Sequence, residues 1–129
     1  MLRFRFPRIW LGIGLLLIAL MIGASFMPNF SPAIYFEHID KLGHFVAYLA
    51  VTCWFSLLFT RNRDRWVIAL ALVVLGIGLE YLQRFSASHV FEYEDMGANA
   101  AGVLCALLLA QIGFSRGLVA VERKLLRNI

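Results

Sequence analysis

Three apolar stretches of this chain each carry ionisable or amide side chains at one end. They read Asp40-Lys41-x-x-His44-x-x-x-Tyr48, then Glu80-x-x-Gln83, then Asp95-x-x-x-Asn99-x-x-Gly102. Imidazole and carboxylate are the groups of general acid–base catalysis and of metal ligation, which makes His44, Glu80 and Asp95 the candidate catalytic residues. Each also has a plain structural use. Asp40 can cap a helix, Lys41 can snorkel, Tyr48 can pack, and Glu80 can pair with His44 or Lys41 as glue between helices. Against the plain reading stands the cost of an intramembrane charge, roughly 2.5 to 3.5 kcal/mol on insertion scales, which chains rarely keep without a use.

The membrane setting follows from composition. Of 129 residues, 61% are hydrophobic and only 16% charged, too little polar surface to cover a soluble domain of this size. A bilayer core of about 30 Å needs about 20 helical residues, and four runs reach that length, at approximately 9–27, 40–60, 66–85 and 93–114. The spacers hold breakers or charge: Pro28-Asn29-Phe30-Ser31-Pro32, Arg61-Asn62-Arg63-Asp64-Arg65 and Ser86-Ala87-Ser88-His89. The expected fold is therefore all-α, one domain over residues 1–129. It is an integral membrane bundle of four transmembrane helices with a short amphipathic helix at the C-terminal end.

Charge sets the expected orientation. Ten of the twelve Lys and Arg residues flank the ends that would face the cytoplasm, leaving Lys41 and Arg84 outside. The acids do the reverse: of eight, only Asp64 and Glu122 fall inside. Both termini are accordingly expected to be cytoplasmic, in a multi-pass protein of the inner (cytoplasmic) membrane. The basic charge then belongs to topology and to contact with membrane lipids, not to nucleic acid, which is not an expected partner. Leu118, Val121, Leu125 and Ile129 share a face of the C-terminal segment, as in a helix lying on the inner leaflet. The first run has 19 uncharged residues, more than the 7 to 15 or so of a signal-peptide core, and is read as a retained helix. Cys53 and Cys105 fall in mid-helix as small apolar residues, with no disulfide expected.

Spacing places the polar residues on shared faces. Steps of four put Asp40, His44 and Tyr48 on one side of the second helix, and Asp95 with Asn99 on one side of the fourth. A step of three keeps Gln83 on the Glu80 face. Ala98, Gly102, Ala106 and Ala110 recur every four residues, the small-residue pattern of close helix packing, which predicts the fourth helix at the centre of the bundle. The second and fourth helices both start on the polar side, and helix N-termini favour anions such as a phosphate or carboxylate. The clustered acids oppose an anion unless Lys41, Arg84, a protonated histidine or a divalent cation intervenes. Asp40, His44, Glu80, His89 and Asp95 are suitable metal ligands by type, but no tight motif such as H-E-x-x-H occurs, and neither metal nor cofactor is assigned.

Taken in order, the three patterns between Asp40 and Gly102 resemble the VanZ-like family of small bacterial membrane proteins. The family is named for a protein of glycopeptide-resistance clusters associated with teicoplanin resistance, and most members have no established biochemical activity. The resemblance implies that Asp40, Lys41, His44, Tyr48, Glu80, Gln83, Asp95, Asn99 and Gly102 are the family-pattern positions. Members commonly carry an arginine in the loop before the fourth helix and an aspartate three positions later, where this chain has His89 and Glu92. His89, at that arginine position, is included with Asp40, Lys41, His44, Tyr48, Glu80, Gln83, Asp95 and Asn99 in the expected ligand-binding set.

Three functions stay open. One is an envelope protein binding a cell-wall or lipid-linked ligand, with a cell-wall precursor or glycopeptide as partner. The second is an intramembrane enzyme using His44 and Glu80 on a lipid-linked substrate. The third is a structural membrane subunit, and transport would need a homodimer. The first two require His44, Glu80 and Asp95 to converge in space; scattered positions would remove the site.

Overall fold

The computed structural model describes residues 4–26, 39–85, 93–112 and 115–127, with backbone alone at 39, 40, 115, 116 and 118. Among them the fold is all-helical: α1 (Pro7–Ser25), α2 (Ile39–Leu58), α3 (Asn62–Gln83), α4 (Tyr93–Gln111) and α5 (Ser115–Leu126). Three helices are long and apolar enough to cross a membrane, namely Pro7–Ser25, the Lys41–Leu58 part of α2, and Asn62–Gln83. α4 is as long as α1 at 19 residues but more polar, carrying Glu94 and Asp95 in its first turn.

Several boundaries differ from the sequence expectation. α3 begins at Asn62, so most of the charged run read as a spacer is its first turn. The reason is local electrostatics: Asp64 sits where the helix dipole favours an acid. Arg65 bends back onto α2, donating from Nε and Nη2 to the Ser56 carbonyl and from Nε to the Phe59 carbonyl at 2.9–3.1 Å. A guanidinium there satisfies carbonyls that the end of α2 leaves open. α1 starts at Pro7, whose fixed φ suits a first helical position, and α4 stops at Gln111, short of the expected 114.

The most extensively packed pair is α2 with α4. They run parallel, because contacts rise together along both helices, from Lys41 with Glu94 through His44 with Asn99 to Phe45 and Leu49 with Gly102, where the backbones touch. A Cβ built on Gly102 would collide with the Phe45 carbonyl oxygen and stand 3.1 Å from the Leu49 nitrogen. Gly102, Ala106 and Ala110 are buried along this seam, so the small-residue stripe does mark a close crossing. The bundle's hub is nevertheless α2, which packs against α1, α3, α4 and α5, while α4 packs on α2 and α3. α3 and α1 run antiparallel to that pair, and Gly14 of α1 seats the Trp54 and Phe55 rings of α2. The apolar core of Val51, Phe55, Leu72, Val103 and Leu107 lies between these helices. Leu16, Leu20, Val67, Leu70, Val74 and Leu108 face outward, an apolar exterior of the kind lipid would cover.

α5 is also fastened to the bundle through its polar side. Val121 and Leu125 of that face are exposed, whereas Glu122 is 5% exposed and turned onto the start of α1. Its carboxylate accepts from the Arg5 and Phe6 backbone N–H groups at 3.2 and 3.5 Å and from Trp10 Nε1 at 2.8 Å. Trp10 also meets the Trp54 ring, and Trp54 Nε1 donates back to the Trp10 carbonyl at 3.1 Å. The basic end of the bundle is thus tied together by one acid and two indoles.

Because backbone lies against Gly102, Gly102→Leu is expected to cost about 2 kcal/mol or more by forcing α2 and α4 apart. Thermal melting of the detergent-solubilised protein checks this, with Gly78→Ala as the control. A Cβ at Gly78 meets nothing within 4 Å, so that variant should melt at or slightly above the wild-type midpoint.

Candidate functional site

The site forms where the polar ends of α2, α3 and α4 meet. On α2, His44 lies one turn before Tyr48; on α4, Asp95 lies one turn before Asn99; on α3, Gly76 lies one turn before Glu80. Each four-residue step stacks its two positions on one face, and the parallel α2–α4 contact turns two of these faces toward each other. The Gly102 contact sets their height, since it places Phe45 of α2 beside α4 just beyond Asn99.

His44, Glu80 and Asp95 do converge. One ligand atom from each lies within 4.8 Å of the others. Glu80 and Asp95 are each 1% exposed, and the His44 side chain is 15% exposed. His44 Nδ1 is 3.1 Å from Asn99 Oδ1, and His44 Nε2 is 3.9 Å from Asp95 Oδ2. Since an amide oxygen only accepts, Asn99 Oδ1 calls for a proton on Nδ1 and leaves Nε2 as the ring nitrogen that faces Asp95. Asn99 is buried and its Nδ2 lies on the α3 side with the Tyr48 hydroxyl, both fitting over Gly76: a Cβ there would be 3.1 Å from Nδ2 and 3.0 Å from the hydroxyl. Gly76 therefore makes the room that the Asn99 and Tyr48 side chains fill.

The other expected ligand-binding residues are placed differently. Lys41 is on the rim, with Nζ 3.3 Å from Glu94 Oε2; the Glu94 side chain is 76% exposed, so this ion pair contributes at most about 1 kcal/mol. Gln83 is buried, but its Nε2 donates to the Ser25 carbonyl, which fastens α3 to the last turn of α1. The Asp40 side chain and His89 lie outside the described residues. Cys53 and Cys105 are free thiols.

Two buried carboxylates from different helices come together beside the His44 imidazole and the Asn99 amide. The chemistry suits a bound cation or an acid–base pair, with Asn99 positioning the imidazole. Sequence reasoning passed over Gly76, although its place four residues before Glu80 is legible. It also treated Glu122 only as one of two acids at the basic end. The cleft beside Glu122, of about 400 Å³ and lined by Phe4, Arg5, Arg123, Leu126 and Arg127, is a weaker candidate, because the carboxylate at its floor already holds the start of α1.

No family model matches the chain, and no solved structure matches it. It is 33% identical over 95 residues to an uncharacterized protein of Schizosaccharomyces pombe. The alignment covers 71% of this chain and 58% of that protein, so the chain spans less than two thirds of the relative's length.

A site built for function carries like charges at a cost in stability, whereas interhelical glue does not. Metal-free Glu80→Gln and Asp95→Asn are therefore expected to melt at or above the wild-type midpoint in detergent. A clear fall in both midpoints would instead mark the carboxylates as structural.

Proposed function

We propose that this is a VanZ-like integral membrane protein that crosses the cytoplasmic membrane four times with both termini inside. Its pocket of His44, Glu80, Asp95 and Asn99 then opens at the outer leaflet and binds the polar headgroup of a lipid-linked ligand. The observation that carries this reading is the convergence of three ionisable side chains from three helices within 4.8 Å, two of them 1% exposed. The fourth crossing is supported by the parallel pairing of α4 with α2, a helix of membrane length. The sidedness is supported by the basic residues gathered at the opposite end of the bundle.

In a bacterial envelope such a ligand would be a cell-wall precursor, and its capture would account for a role in glycopeptide and teicoplanin resistance. A second reading, an intramembrane enzyme, draws on the same geometry. His44 lies beside two carboxylates, so that one group can take a proton while another returns it.

Cysteines introduced at Arg8 and Arg63 are expected to be shielded from an impermeant thiol reagent in intact cells, and one at Glu94 to be labelled. Labelling of all three alike would overturn the topology. In a strain whose envelope phenotype depends on the gene, alanine at His44, Glu80 or Asp95 should abolish the phenotype at unchanged protein level. Unaltered susceptibility in all three variants would overturn the binding reading. Turnover of lipid-linked precursors by the purified protein, lost in Glu80→Gln, would select the enzyme over the binding protein.

A further inference from the structure

We propose that His44, Glu80 and Asp95 hold one divalent transition-metal ion, with Asn99 as the positioning residue for His44. The inference deepens the pocket reading above and rests on it for the identity of what binds last. A metal would also serve that reading: held by both carboxylates, it offers positive charge to an anionic headgroup.

The donor set is one imidazole nitrogen and two carboxylate oxygens, from α2, α3 and α4 respectively. Ligand atoms each about 2.1 Å from a shared ion stand roughly 3 to 4 Å apart, according to the coordination angle. The His44 Nε2 to Asp95 Oδ2 separation of 3.9 Å is too long for a hydrogen bond and falls within that range. All three ligand atoms lie within 4.8 Å of one another, somewhat wider than a loaded site and of the same order. An imidazole in the set favours zinc, iron or another transition ion over magnesium or calcium, which take oxygen ligands.

The second observation is the bond behind the histidine. Metal-bound histidines nearly always donate the other ring N–H to a carbonyl or carboxylate, which fixes the tautomer and raises ligand basicity. His44 Nδ1 faces Asn99 Oδ1 at 3.1 Å, and Asn99 is itself buried. The nitrogen left for a metal is Nε2, the atom nearer Asp95. Three ligands leave coordination positions for an oxygen of a phosphate or hydroxyl group, so the ion would bridge the carboxylates to a headgroup.

The test uses the full chain purified in detergent, stripped with a chelator and titrated with Co²⁺, whose visible absorption reports nitrogen and oxygen ligation. One saturable Co²⁺ per chain, displaced by Zn²⁺, is expected. His44→Ala, Glu80→Gln and Asp95→Asn should each weaken binding by about 100-fold or more. Asn99→Ala should weaken it about 10- to 100-fold, and Asn99→Asp, which keeps the acceptor, should restore it. Absence of saturable binding by the wild type overturns the proposal. So does equal affinity in Glu80→Gln and Asp95→Asn when both melt like the wild type without metal. Because no headgroup is present, the two readings fail separately. Loss of phenotype in the alanine variants without Co²⁺ binding removes the metal alone. Co²⁺ binding with an unaltered phenotype removes the headgroup alone.

Discussion

Backbone contact between two parallel helices is the constraint on which the rest of the structure depends. At Gly102 the α4 backbone lies against the Phe45 carbonyl and the Leu49 nitrogen of α2, with no room for a side chain between them, so the two helices are held at one height and one facing. That fixed register decides which residues face each other one turn away. It sets His44 against Asn99 and Asp95 and leaves α3 to close the third side with Glu80. Gly76 does the same on α3 at smaller scale, admitting the Asn99 amide and the Tyr48 hydroxyl where a methyl group would crowd them.

The parallel pairing has an electrostatic consequence. It brings two helix N-termini side by side, two partial positive charges that repel one another unless negative groups gather there. Asp95 in the first turn of α4 answers its own helix. Glu80 lies in the last turn of α3, the end where that helix's dipole disfavours an acid, so its place is understood only through the neighbouring α2 and α4. At the other end of the bundle the signs are exchanged. Arg65 meets the carbonyls at the end of α2, and Glu122 meets the N–H groups at the start of α1. Each end of the bundle therefore sets side-chain charge against helix dipoles, and His44, Glu80 and Asp95 gather at one of them.

Much of this was legible in the sequence. The apolar runs give helices because runs of about 20 residues have few other ways to satisfy their backbone in lipid, and steps of four identify faces without knowing what the faces meet. The charged run from Arg61 to Arg65 misled, since charge there suggested a loop. Asp64 and Arg65 in fact serve a helix start and a neighbouring helix end, interactions that composition does not distinguish from solvation. Gln83 shares the Glu80 face yet turns its amide to Ser25, because the end of α1 happens to lie there. The α5 segment was read from its leucine and valine face, while its buried contact with α1 is made by Glu122.

The sequence by itself determined the helical class, the apolar exterior, the small-residue seam and the residue types available for chemistry, because each depends on composition or on the period of a single helix. Only the tertiary structure decided that His44, Glu80 and Asp95 share one volume, that Asn99 orients the imidazole, and that α2 rather than α4 is the hub. The physical reason is that a helix period fixes an angle around one axis and says nothing of the height or rotation of its neighbour. Those two quantities are set by where backbones can touch, and here that is at Gly102.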